Sequence, residues 1–188
     1  MPFRDRDEAA RRLVERLAVY KGKNPLVLAI PRGAVPMASI VAAALEGEVD
    51  VVLVRKLRAP YNPEFAVGSI DESGWTYIAD YAVQAGATPE YLEAEKKAQM
   101  ETMRNRRAQY TPIRPSIDPA GRIVIVLDDG LATGATMISA LHALRAKGPK
   151  KLICAVPVSP PDTLEKVAGY ADEVVCLEAP EWFQAVGQ

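Results

Sequence analysis

Residues 123–136 read IVIVLDDGLATGAT, and no other run constrains the fold of this chain so tightly. Four aliphatic residues, Ile123 to Val126, lead through Leu127 to two acids, Asp128 and Asp129, and GLATGAT passes straight into the helical pattern MISALHALRAKG. An apolar run without alternation is a strand buried on both faces, which belongs in a parallel sheet covered by helices. Such sheets bind ligands where strands end and helices begin. Gly130 and Gly134 let the backbone approach an anion closely, and a Cβ at Gly134 is expected to block it. The N–H groups of about 132–136 point outward at the start of the helix, where the dipole also favours negative charge. Thr133 and Thr136 add hydroxyl donors.

The two acids limit what that anion can be. Adjacent carboxylates repel a bare phosphate a few ångströms away. They fit if they accept hydrogen bonds from sugar hydroxyls or bind a metal-bridged group. A ligand carrying both a phosphate and a diol, such as a 5-phosphoribosyl group, satisfies both halves of the run. A nucleoside-triphosphate loop is excluded, because no Gly-Lys-Ser/Thr ending follows. The bland alternative is a capped strand–helix turn with two solvated acids.

The remaining pattern supports a doubly covered sheet. Ala10, Leu13, Val14 and Leu17 form a helical stripe within 7–19. LVLAI (26–30) is a strand between two prolines, 35–45 a tightly packed helix, and VDVVLV (49–54) a second strand. Residues 55–64, RKLRAPYNPE, read as a loop because of their prolines and charges. FAVGSIDESGWTYI (65–78) reads as a hairpin turning at Glu72-Ser73-Gly74. A charged helix over about 88–110 precedes strands at 122–129, 151–158 and 173–178, with helices near 134–147 and 162–169 between them. Strands alternating with helices argue for βαβ units. At 188 residues one domain, 1–188, is expected.

Charge and cysteines narrow the setting. A formal net charge of −1 offers no bulk attraction to nucleic acid or membrane, so any anion site is local. Cys154 and Cys176 sit inside apolar runs and read as reduced thiols. The charged start MPFRDRDEAARR is unlike a signal peptide, and no apolar run approaches membrane-spanning length, so a cytoplasmic location is expected. The sequence ends at WFQAVGQ without a helix stop, which reads as a truncated or partly ordered tail.

Residues 123–136 resemble the phosphoribosyl pyrophosphate (PRPP) signature of type I phosphoribosyltransferases: apolar strand, two acids, two linkers, then a Thr-Gly-x-Thr cradle. The resemblance implies a three-layer α/β fold, a central mainly parallel sheet with helices on both faces and a small hood over about 55–80. It implies that Asp128 and Asp129 contact the ribose 2- and 3-hydroxyls and touch magnesium only indirectly. The cradle, Gly130 with Ala132, Thr133, Gly134, Ala135 and Thr136, would hold the 5-phosphate. AIPRGAVPMAS (29–39) has the same strand–loop–helix layout, and by resemblance Arg32, Gly33 and Ala34 would hold pyrophosphate, with Arg55 and Lys56 neutralising it as it leaves.

Family resemblance also implies a Mg2+-dependent transfer of the 5-phosphoribosyl group from PRPP to a small nitrogenous acceptor, in a homodimer. In oxopurine-specific members the residue before the Thr-Gly is an Asp; here it is Ala132, which argues against hypoxanthine or guanine and is shared with adenine-type members. Glu64 is the candidate acid or base from the hood, with Asp71 and Glu72, read as exposed hairpin charges, behind it. Arg104 and Arg107 share a helix face with Arg106 beside them, and a neighbouring subunit could present them to pyrophosphate. Trp182 and Phe183 could stack on a base, and His142 reads as structural. Asn62-Pro63-Glu64-Phe65 and Phe183-Gln184-Ala185-Val186-Gly187 resemble an uncharacterised group of predicted phosphoribosyltransferases with no agreed acceptor. The alternative on the same fold is a non-catalytic PRPP- or nucleotide-sensing regulator.

Overall fold

The computed structural model describes residues 5–31, 33–110, 117–131 and 134–179. Its contacts divide the chain into two units, a core of Met1–Val52 with Ser116–Gln188 and an insert of Leu53–Pro115. In chain order the core begins α1 (Arg6–Arg16), β1 (Leu26–Ala29), α2 (Ala34–Leu45) and β2 (Glu48–Val51). The insert supplies β3 (Val54–Ala59), β4 (Asn62–Asp71), β5 (Thr76–Ile78) and α3 (Pro89–Tyr110). The core resumes with β6 (Ile123–Leu127), α4 (Ala135–Arg145), β7 (Lys151–Val158), α5 (Pro161–Ala168) and β8 (Glu173–Glu178).

The five core strands form one parallel sheet in the order β2-β1-β6-β7-β8. Alternate residues of its strands point to opposite faces. Val27, Ala29, Ile125, Leu127, Ile153 and Ala155 pack into one apolar cluster with Ala10 and Leu13 of α1 and Met37, Val41 and Leu45 of α2. The intervening Leu26, Leu28, Val124, Val126, Leu152 and Cys154 are equally buried. Their face is the one on which α4 and α5 bury Met137, Leu141, Leu144 and Val167. This is the expected three-layer arrangement. It explains why the strands read as continuous apolar runs, since neither face meets water.

In the insert, β3, β4 and β5 form an antiparallel sheet in that order. Here the loop expected over 55–64 is overturned: most of it is strand. Pro60 lies in the turn between β3 and β4. Pro63 falls where the ladder jumps from Arg58↔Ala66 to Ala59↔Asn62, an irregularity that tolerates a residue without an N–H. Gly74, at φ 93°, makes the expected second turn. Among the described residues no helix is long and apolar enough to cross a membrane.

Candidate functional site

Strands β1 and β6 are neighbours in register, with Ala29 beside Leu127, so the loops that leave their carboxyl ends lie side by side. The Ile30 N–H donates to the Leu127 carbonyl at 2.9 Å, and the Leu131 N–H to the Val158 carbonyl at 3.0 Å. Asp128 and Asp129 start at this edge, both partly buried. The Asp129 N–H donates to Asp128 Oδ1 at 2.8 Å. Burial first, and then the negative charge of Asp129, push the Asp128 carboxyl well above the usual carboxylate range, against the pull of that N–H.

Two further residues meet the acids. Arg6 reaches across from the first turn of α1, its Nη2 and Nε donating to Asp129 Oδ2 at 3.0 and 3.3 Å. Gly33, the residue that caps α2, lies against this ion pair. A Cβ there would collide with Asp129 Oδ2 and stand 2.9 Å from Arg6 Nε. Gly33 adopts an ordinary helical conformation, φ −63°, so space rather than backbone freedom requires the glycine. Arg6 was not among the residues that the sequence pattern singles out. Its only local signal is a cation on the first turn of a helix, where acids are favoured.

At the cradle, Gly134 caps α4 with φ 81°, a conformation that disfavours a side chain. The expectation that a Cβ here would block the anion is corrected by the packing. The Cβ would instead meet Thr163 Cγ2 at 2.9 Å and Val167 Cγ2 at 3.3 Å on α5. Gly134 therefore shapes the turn and seats α4 on α5. Ala135 and Thr136 open α4, where the first turn of a helix lacks intrahelical acceptors for its N–H groups. Ala132, Thr133 and Arg32, with Trp182 and Phe183, lie outside the described residues.

The other candidates belong to the insert. Arg55 and Lys56 sit on β3; Arg55 Nε donates to Gln99 Oε1 of α3 at 3.0 Å. Burial, with Arg106 and Arg58 nearby, lowers the guanidinium from its usual value. Glu64 lies on β4. Asp71 is buried rather than exposed, its Oδ1 accepting from the Ser73 N–H, the Ser73 hydroxyl and the Trp75 N–H, so it caps the hairpin turn. Glu72 is held by Arg107 of α3, with Nε at 2.9 Å, and the two line a cavity of about 170 Å³ with Arg104, Met100 and Met103.

Elsewhere in the core, Cys154 is a free, buried thiol whose ionisation is suppressed by burial, and Cys176 is likewise free. The His142 ring lies 6.4 Å from that of Tyr170. Among the described residues no three His, Cys, Asp or Glu side chains gather around a metal position. The acid pair does fit a cation shared with a ligand. A positive charge or a pair of hydroxyl donors relieves the repulsion that raises Asp128. A separate cavity of about 690 Å³ opens at the amino-terminal edge of the sheet, lined by Tyr20, Lys23, Arg122, Lys150 and Lys151 among others. Two of these residues already have acidic partners, Arg122 with Glu48 and Tyr20 with Glu173.

The comparisons with known proteins agree with this geometry. Residues 3–188 match the family model of the phosphoribosyl transferase domain. A Mycobacterium tuberculosis (strain H37Rv) protein named "Putative phosphoribosyl transferase Rv0571c" is 43% identical over 187 residues, 99% of this chain and 42% of that protein. The chain thus spans less than half the length of that relative. The crystal structure of TT1426 from Thermus thermophilus superposes with a TM-score of 0.82 at 45% identity, over 98% of this chain and 88% of that one. A purine phosphoribosyltransferase from Pyrococcus horikoshii shares the fold, with a TM-score of 0.52 at 15% identity over 97% of this chain and 93% of that one. By sequence across nearly its whole length, and by its sheet and the acids at the carboxyl end of β6, this chain belongs to the phosphoribosyl transferase domain family.

Proposed function

We propose that the chain is a magnesium-dependent phosphoribosyltransferase that binds PRPP and passes its 5-phosphoribosyl group to a small nitrogenous acceptor, releasing pyrophosphate. The observation that carries this reading is the convergence at one sheet edge. Two strand–loop–helix units on neighbouring strands bring Asp129, the second acid of the pair, against Gly33, so closely that no side chain fits between. One loop suits a diol and a phosphate, and the other presents bare backbone to a second anion.

In this reading the opening turn of α4 and Thr136 hold the 5-phosphate, and Asp128 and Asp129 accept hydrogen bonds from the ribose hydroxyls. Magnesium, held indirectly by Asp128 and Asp129, would supply positive charge that offsets that of the departing pyrophosphate. The acceptor nitrogen forms its bond to the anomeric carbon as the bond to pyrophosphate breaks, with inversion. The protein contributes positioning and charge rather than covalent chemistry. Arg55, Lys56 and Glu64 are the insert's candidates for the leaving group and for proton transfer, and a homodimer in the cytoplasm is the expected setting.

Calorimetry with PRPP and magnesium tests the donor half, and a pyrophosphate-release screen over bases and amines tests the acceptor half. Loss of PRPP binding in Asp128→Asn with Asp129→Asn is expected. Unchanged binding in that double variant would sink the assignment. One observation favours a second reading, a nucleotide-sensing regulator: the basic cavity at the opposite edge of the sheet offers an anion site remote from the acids. PRPP binding without pyrophosphate release on any acceptor would favour it.

A further inference from the structure

We propose that Arg6 is a donor-binding residue whose guanidinium, hung from Asp129 and laid along Gly33, receives the pyrophosphate group of PRPP. This rests on the donor assignment above and adds to it a residue from the opposite end of the sequence.

Arg6 is a poor choice for its own helix. It occupies the first helical position of α1, capped by Asp5 and followed by Asp7 and Glu8. That is the end of a helix where a positive charge is disfavoured by the dipole. Its side chain is 57% exposed, and an exposed ion pair adds little to stability while ordering a long side chain. A stabilising role thus explains neither the residue type nor the position.

The geometry suits a ligand instead. Both donated hydrogen bonds go to one oxygen, Asp129 Oδ2, from Nε and Nη2. A closed two-oxygen fork would use both carboxylate oxygens. Here neither Asp129 Oδ1 nor Arg6 Nη1 takes part in the ion pair. Nη1, which the pair does not use, can meet an anion on the side of the guanidinium away from Asp129. Gly33 packs against the same guanidinium, its Cβ position 3.0 Å from Arg6 Nη2 as well as against Asp129 Oδ2. The guanidinium therefore lines the loop proposed to take pyrophosphate. Among the described residues of the core, it is the cation that the structure hydrogen-bonds to the acid pair. A pyrophosphate entering beside two carboxylates meets strong repulsion unless a fixed cation offsets it, and Arg6 is a cation already held on Asp129.

Calorimetry on the full chain with magnesium present, using PRPP, inorganic pyrophosphate and ribose 5-phosphate as separate probes, tests this. Arg6→Ala is expected to weaken PRPP and pyrophosphate by about 10- to 100-fold. Ribose 5-phosphate binding should stay within about threefold, and the melting temperature within about 2 °C. Arg6→Lys should recover part of the pyrophosphate affinity, since it keeps the charge and loses the fork. Unchanged pyrophosphate affinity in Arg6→Ala overturns the role of Arg6 alone. So does an equal loss of ribose 5-phosphate, which would mean that Arg6 acts only by orienting Asp129. A wild-type chain that binds none of the three probes overturns the donor assignment, and this role with it.

Discussion

Burial and the neighbouring Asp129 charge both favour the neutral form of Asp128, so the folded chain holds a proton there more tightly than the unfolded chain does. A carboxyl raised in the folded state contributes stability that is fully present below the ordinary carboxylate range and is lost as pH rises through its folded value. Asp128→Asn is therefore expected to raise the melting temperature at pH 7 by about 2–4 °C, roughly 1 kcal/mol for a chain of this size. The gain should vanish near pH 4, and thermal melts across that window check it. A variant no more stable than wild type at pH 7 would mean that the acid pair is already relieved by the protein. The pair itself was legible in the sequence, because two acids between an apolar run and a glycine turn are a local pattern. Arg6 was not, since its partner lies 123 positions away and no periodicity reports a contact of that separation. Gly134 was legible as a glycine, but not for the right reason: the side chains that crowd it come from α5.

At the scale of elements, the insert shows a different kind of legibility. Its antiparallel strands carry charges and prolines because only part of each strand is covered, so the sequence reads as loop where the chain is extended. What fastens them is polar. Glu95 of α3 accepts from the Arg58 backbone N–H at 2.7 Å and from its guanidinium at 3.0 and 3.2 Å, with Gln99 adding a fourth bond. Burial alone would raise the Glu95 carboxyl, but the bonds from Arg58 outweigh it and hold the group below its usual value. Stability from Glu95 is thus present above the ordinary carboxylate range and lost as pH falls through the lower, folded value. Glu95→Gln should lower the melting temperature by about 3–8 °C at pH 7, with the gap to wild type closing on acidification. A gap that is constant from pH 7 to pH 3 would assign the loss to packing rather than charge. None of this bonding is visible along α3, where Glu95 looks like any other acid in a charged helix.

For the whole molecule, the division into two units carries a consequence for folding. The apolar cluster that joins α1 and α2 to the parallel sheet draws every one of its residues from the core. The chain leaves the core after Val52 and returns at Ser116, and Asp50 Oδ2 accepts from the Ile117 N–H at 2.9 Å, so departure and return lie beside each other. Bridging such adjacent ends costs little loop-closure entropy. The core sheet was legible from its apolar runs and its family signature. The point where the insert departs was not, because the sequence shows no linker there, and 49–54 reads as a single strand where β2 ends at Val51 and β3 begins at Val54. Replacing residues 53–115 with a short Gly/Ser linker is expected to leave a folded domain with a cooperative melt and the circular dichroism of a parallel α/β sheet. On the function proposed above, this domain should keep ribose 5-phosphate binding, since the acids, Gly33 and the opening of α4 all lie in the core. It should lose much of its pyrophosphate affinity along with Arg55 and Lys56, retaining the share that depends on Arg6. A shortened chain without a cooperative melt would show that the core needs the insert to fold. Pyrophosphate affinity equal to that of the full chain would remove Arg55 and Lys56 from the donor site and leave Arg6 as its cation.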